Sequence, residues 1–178
     1  MMHDLKVVNV KVSVKITSAK YQEVISQISH LQCNQKPNFT VLFHTYTYTI
    51  FKASIPTGYL HCNITKLSTF SNVSKAVKLL SSLLPKASFI NLSIDNITST
   101  SECDRKQNLD NLFVKLQHTY ILKYNLQKFP AIFIRVPFDK GDVTVFVFAS
   151  GKLVCVGAKS PLHLEQVSKW IRTEINDI

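Results

Sequence analysis

Two ten-residue stretches of this chain share four residues in step. TGYLHCNITK (57–66) and SGKLVCVGAK (150–159) match Gly58 to Gly151, Leu60 to Leu153, Cys62 to Cys155 and Lys66 to Lys159, an offset of 93. Upstream, NFTVLF (38–43) resembles KFPAIF (128–133), pairing Phe39 with Phe129 at an offset of 90. Further upstream, VVNVKVS (7–13) resembles IDNITST (94–100), pairing Asn9 with Asn96 at an offset of 87. One such match is chance. Three in the same order, with an offset that drifts as small loop insertions require, mark a duplicated unit of roughly 90 residues. The 178 residues then divide into two repeats, 1–86 and 87–178.

Both repeats have one outline. Residues 7–16 alternate strictly, with Val8, Val10, Val12, Val14 and Ile16 on one face and Asn9, Lys11, Ser13 and Lys15 on the other. That period predicts a strand with one apolar and one polar, basic face. Residues 18–31 place Tyr21, Val24, Ile25, Ile28 and Leu31 at helical spacing. Strands are predicted around 39–46, 49–55 and 59–65, with Pro56 and Gly58 marking a hairpin. Phe70, Val73, Val77, Leu80 and Leu84 share a helical face over 68–84, and Pro85 ends that helix. The second repeat follows suit. It has a strand over 89–99, a helix over 108–120, strands over 130–137, 143–149 and 152–158, and a last helix opening at Pro161. Strand, helix, three strands, helix, taken twice, predict an α+β fold with the helices on one face of an antiparallel sheet.

Composition narrows the function classes. Lys and Arg number 21 against 11 Asp and Glu, a net charge of +10, which favours a polyanionic partner such as nucleic acid. Cys33, Cys62, Cys103 and Cys155 form no C-x-x-C pair, so no zinc site is expected. The five N-x-S/T sequons, at Asn38, Asn63, Asn72, Asn91 and Asn96, fit a chain rich in Asn, Ser and Thr. The start MMHDLKVVNV has no apolar stretch followed by small residues, so no signal peptide is expected. The expected location is the nucleus, or a cytoplasmic transcription site if the chain is viral. No phosphate-binding G-x-x-x-x-G-K-[ST], no G-x-S-x-G and no His pair at metal spacing occurs. The chain is expected to be no enzyme and to need no cofactor.

KFPAIFIRV (128–136) followed by VFASGKLVCVGAKS (147–160) resembles the second repeat of the TATA-box-binding protein family. IDNI (94–97) resembles that family's Q-N-I strand. The likeness is strong over 94–160 and faint but collinear over 7–84. It implies a saddle with a concave, curved sheet and helices on the convex face, gripping the minor groove of AT-rich double-stranded DNA. Kinking by apolar side chains driven between base steps is a known property of the family.

The resemblance also implies roles. Phe129 and Phe148 stand at both wedge positions of the second repeat, and Phe39 at one in the first. For the other, the count back from Gly58 favours Ile55 over Phe51. Asn9 and Asn96 match the central asparagine pair, whose amides can meet the A N3 and T O2 acceptors. Lys11 and Thr98 stand where the family prefers valine. His61 and Asn63 are aligned with Val154 and Val156 as the groove-facing positions on the last strand of each repeat. Arg135 and Lys152 fall at basic positions near the DNA backbone. In the family, a Y-E-P-E-L-F-P pattern docks initiation factor IIB. Here the stretch is YNLQKFP (124–130), so Asn125 and Gln127 replace carboxylates, Lys128 adds a positive charge, and a standard factor IIB is not the expected partner. The expected function is a general transcription initiation factor that binds and bends promoter DNA, with the polymerase machinery as protein partner. The alternatives are a scaffold of the same fold that has lost DNA bending, and a single-strand or RNA binder using the basic sheet.

Overall fold

The computed structural model describes residues 5–17, 21–30, 34–35, 38–43, 46–51 and 59–175. It is an α+β fold of two compact units. One is Asn9–Asp95; the other is Asn96–Ile178 together with the start of the chain as far as Val8.

In the Asn9–Asp95 unit, β1 (Lys6–Thr17) keeps the predicted alternation from Val10 onward, whereas Val8, expected on the apolar face, is exposed. Val10, Val12, Val14 and Ile16 are buried, and Asn9, Lys11, Ser13 and Lys15 lie on the partly open face. Burying each such aliphatic side chain stabilises by about 1.5–3 kcal/mol, so the register of the strand is set by its core face. α1 (Tyr21–His30) follows and buries Val24 and Ile28. β2 (Asn34–Gln35), β3 (Asn38–Phe43), β4 (Tyr46–Phe51) and β5 (Tyr59–Leu67) complete the strands, and α2 (Ser71–Leu83) closes the unit. The sheet order is β2-β3-β4-β5-β1-β6, where β6 (Ser88–Glu102) belongs to this unit through Asp95. The buried Tyr48 of β4 donates its hydroxyl to the Ala76 carbonyl of α2 at 3.0 Å.

The Asn96–Ile178 unit continues with α3 (Leu109–Leu116), β7 (Ile121–Tyr124), β8 (Ala131–Val136), β9 (Val143–Phe148), β10 (Lys152–Ala158) and α4 (Pro161–Glu174), in sheet order β6-β10-β9-β8-β7. Asn108 caps α3 by accepting from Asn111 N–H at 3.0 Å, and Ser160 caps α4 by accepting from His163 N–H at 3.1 Å. Such caps satisfy donors that a helix start leaves without partners.

Several sequence expectations need correction. The strands expected at 39–46 and 49–55 are β3 and β4, which pair from Phe43↔Tyr46 to Asn38↔Phe51. No Gly, Pro or Asn marks the link between them, and HTYTYTI alternates without a break, so the boundary was hidden. The helix expected to reach residue 120 stops at Leu116. Thr119 and Tyr120 N–H both bond the Leu116 carbonyl at 3.0 Å, and the Tyr120 hydroxyl accepts from Trp170 Nε1 at 2.8 Å. The short strands β2 and β7 were not foreseen, because two and four residues are too few to show a period.

The repeats also superpose differently from the letter matches. Ser13 pairs with Asn63 and Thr100 with Val154; Val12 pairs with Ile64 and Ser99 with Cys155. With β1 and β6 offset by 87, β5 and β10 are therefore offset by 91, not 93. Cys62 sits at the place of Leu153, and Lys66 at that of Gly157. Both strands slip register at that point, between Val10/Val12 and between Val156/Ala158, and both bulge residues have positive φ, 65° at Lys66 and 119° at Gly157. Asn9 Oδ1 accepts the Lys66 N–H at 3.1 Å, which holds the first bulge. At the second, a Cβ on Gly157 would come 2.7 Å from the Asp142 carbonyl oxygen. Gly157→Ala is therefore expected to destabilise by about 1–3 kcal/mol, whereas Lys66→Gly relieves a left-handed residue and leaves stability equal or higher. Paired urea melts check both; equal losses at the two positions would count against the equivalence.

Candidate nucleic-acid interface

On β1, β4, β5, β8, β9 and β10 one phase of the strand is buried, so the other phase carries whatever meets a partner. In the Asn96–Ile178 unit, β8 buries Ile132, Ile134 and Val136 and turns Phe133 and Arg135 outward. β9 buries Val143, Val145 and Val147 and leaves Thr144, Phe146 and Phe148 partly open. On β10, Leu153 and Cys155 are buried while Lys152, Val154 and Val156 share the open face with Thr98 and Thr100 of β6. Registers align these into rows: Thr100–Val154–Phe146–Phe133 and Thr98–Val156–Thr144–Arg135.

Four phenylalanines meet on this face. Phe129 is 38% exposed and its ring centroid lies 5.0 Å from Phe133, 6.1 Å from Phe146 and 6.0 Å from Phe148; Phe133 and Phe146 are 4.6 Å apart. These are attractive tilted and edge-on contacts, so Phe129 rests on a floor of three rings. The sequence reading singled out Phe129 and Phe148 but missed Phe133 and Phe146. The period-2 pattern of AIFIRV and VTVFVF carried that information, since every other residue there is a buried aliphatic.

The turn that presents Phe129 is built by Asn125. Its Oδ1 accepts Gln127 N–H at 3.1 Å, and its carbonyl accepts the Lys128 and Phe129 N–H groups at 3.0 Å. This side-chain turn gives Asn125 a structural task besides any role in docking; Asn125, Gln127 and Lys128 are all exposed. Arg135 is ion-paired with Asp142 at 2.6 Å. The pair borders a hollow of about 270 Å³ lined with Ile121, Lys123, Phe133 and Thr144. Lys152 is exposed on β10.

The Asn9–Asp95 unit presents a different face. Lys11, Ser13 and Lys15 of β1, His61, Asn63 and Thr65 of β5, and Thr47 and Thr49 of β4 occupy the open phase. By register, Asn63 and Thr65 are the counterparts of Val154 and Val156, whereas His61 is that of Lys152; the sequence pairing of His61 and Asn63 with those valines is off by two residues. Ile55 lies outside the described residues. Phe51 pairs with His61, the position that Phe148 occupies relative to Lys152 one step beyond Val147↔Leu153. Phe39 pairs with Ile50 as Ile132 pairs with Val147, so its register counterpart is Ile132 and not Phe129. The hairpin letters misled here because paired residues lie 12 apart across β4 and β5 (Ile50↔Cys62) but 6 apart across β9 and β10 (Val147↔Leu153).

The central asparagines are held unlike one another. Asn9 is tied through its carbonyl to the bulge at Lys66, whereas Asn96 Nδ2 donates to Thr98 Oγ1 at 3.3 Å. Among the described residues no group of three His, Cys, Asp or Glu is placed to hold a metal, and no helix is long and apolar enough to cross a membrane.

Cys62 and Cys155 lie on the sealed faces, and burial pushes both thiols up from 9.0 to about 12. A folded pKa above the unfolded one gives stability that is full below pH 9 and is lost as pH rises towards 12. At pH 8, in a Cys33→Ser background, a thiol reagent is expected to modify the partly exposed Cys103 first and to leave Cys62 and Cys155 untouched until unfolding. Early modification of either buried thiol would contradict the assignment of faces.

Comparison with known proteins agrees with this geometry. Residues 91–178 match the family described as transcription factor TFIID, or TATA-binding protein. Over 84 residues the chain is 37% identical to the TATA-box-binding protein of Thermococcus celer, covering 47% of this chain and 42% of that protein. It is 36% identical over 76 residues to TATA-box-binding protein 2 of Arabidopsis thaliana, covering 43% and 35%. The matched stretch thus spans less than half the length of these relatives. The fold matches that of Methanococcus jannaschii TBP with a TM-score of 0.73, over 99% of this chain and 100% of that one, at 23% identity.

Proposed function

Because the chain is a divergent member of the TATA-box-binding protein family, we propose that it is a transcription initiation factor that binds double-stranded promoter DNA through the minor groove and bends it. The observation that carries this reading is the partly exposed Phe129, seated on Phe133, Phe146 and Phe148 on an open sheet face. A soluble core has no use for four rings on its uncovered side, whereas an apolar wedge against base steps does. A scaffold that had lost bending would need none of them. The net charge of +10 supplies the sequence-independent attraction to phosphate. Arg135 contributes to it only by exchanging its Asp142 partner for a phosphate. Nuclear action, or action at a cytoplasmic viral transcription site, follows from this role.

Phe129→Ala combined with Phe148→Ala is expected to abolish bending, read by energy transfer across a TATA-containing duplex, while a weaker association persists. That residual binding should weaken with salt, log K falling by about 0.9 per neutralised phosphate for each unit of log salt. Bending that survives the double substitution would remove the wedge from the account.

The docking corner points to an unusual partner. Asn125, Gln127 and Lys128 offer no carboxylate, and Lys128 repels a basic surface. Like-charge contact at an interface costs several kcal/mol (order of magnitude) and redirects partner choice. The protein partner therefore presents a neutral or acidic surface there, unlike a standard factor IIB. On TATA DNA, the protein with standard factor IIB is expected to give no stable ternary complex, and Asn125→Asp with Gln127→Glu is expected to restore one. A wild-type complex of normal affinity, unchanged by those substitutions, would refute this.

A further inference from the structure

Equivalent rows of the two units differ in chemistry at two of their three places. Thr100–Val154–Phe146 in one unit corresponds by register to Ser13–Asn63–Thr49 in the other. The first place carries a hydroxyl in both rows, while at the next two the apolar Val154 and Phe146 are replaced by the amide of Asn63 and the hydroxyl of Thr49. Ser13 Oγ donates to Asp95 Oδ1 at 2.8 Å and lies 2.9 Å from Ser93 Oγ. With its proton on the carboxylate, Ser13 acts as acceptor in the Ser93 contact and keeps a second lone pair as an acceptor. Asn63 and Thr49 add a carbonyl oxygen and a hydroxyl oxygen on the same partly open face.

The minor groove distinguishes base pairs by one feature. A·T and T·A show only acceptors, while G·C adds the guanine N2 amine, a donor. Against Val154 and Phe146 that amine would lose its water and gain no acceptor, which is costly. Against Ser13, Asn63 and Thr49 it finds acceptors, and the Asp95 carboxylate behind Ser13 favours a donor over the A N3 and T O2 acceptors. We propose that this protein reads a composite site, A·T-only beneath the phenylalanine-bearing unit and G·C-accepting beneath the Asn9–Asp95 unit, with Asn63 and Thr49 as the specificity-determining residues. The inference rests on the minor-groove reading given above.

The full-length protein is titrated against A·T-rich duplexes in which a single G·C pair is moved from one end of the site to the other. An inosine·cytosine pair, which lacks the N2 amine, serves as the control. One half of the site is expected to lose about tenfold or more in affinity on G·C substitution and the other less than about threefold. Inosine should remove the penalty in the intolerant half and bring no gain in the tolerant one. Asn63→Val with Thr49→Val should make the tolerant half intolerant, raising the G·C-over-A·T penalty there to about tenfold or more. Asn63→Gln, which keeps the amide, should retain the tolerance. Equal penalties in both halves, or a penalty pattern that the valine variant does not move, overturn the proposal alone. Failure to bind any duplex beyond a salt-sensitive background overturns the minor-groove reading and the proposal with it.

Discussion

A pleated strand sends alternate side chains to opposite faces, and here the helices claim one of the two. In the Asn9–Asp95 unit that claim falls on Val10, Val12, Val14 and Ile16, with Leu60, Cys62 and Ile64 of β5 and Tyr48 and Ile50 of β4 beside them. In the other unit it falls on Ile132, Ile134, Val145, Val147, Leu153 and Cys155. A one-residue slip would carry every one of these into solvent. The core thus fixes the register, and the register decides which residues are available to a partner. Selection can rewrite the open phase without disturbing the sealed one, and the two repeats have diverged there.

Where the pleat is interrupted, the interruption recurs. Lys66 and Gly157 occupy the same bulge of the repeat, yet one relies on the Asn9 side chain and the other on having no side chain. The Asn9 side-chain oxygen is engaged in this support. The second-repeat counterpart, Asn96, bonds instead to its strand neighbour Thr98. Two residues that match by position in the sequence thus do different mechanical work.

The α+β architecture was legible because its long elements carry clean periods. β1 could be placed from its alternation, and the start of the last helix from Pro161. The short edge strands were not legible, nor was the β3–β4 turn, whose link has no turn residue. Phe129 and Phe148 were singled out from FP and FASGK, but Phe133 and Phe146, whose rings lie against Phe129, were not, because attention to the motif obscured the alternation around it. The β3 and β5 equivalences of the first repeat failed for a physical reason, while that of β1 with β6 held. Identity of Gly, Leu, Cys and Lys at a fixed offset says nothing about which strand partner each residue faces, and the longer β4–β5 connection absorbed the difference.

The Asn125 turn binds two properties of the docking corner into one residue. Its side-chain carbonyl holds the Gln127 N–H and so helps to aim Phe129, while its neutrality helps to set the charge of the corner. Aspartate offers an oxygen at the same reach and can keep such a turn; glutamate, one methylene longer, cannot reproduce it. In this chain, whose next residue is Leu126, glutamate would restore the charge and lose the side-chain bond of the turn, whereas aspartate could keep both. A proline at that next place, as in Y-E-P-E-L-F-P, fixes the backbone by its ring instead, so the shape of the turn and the choice of acid are tied to the residue that follows.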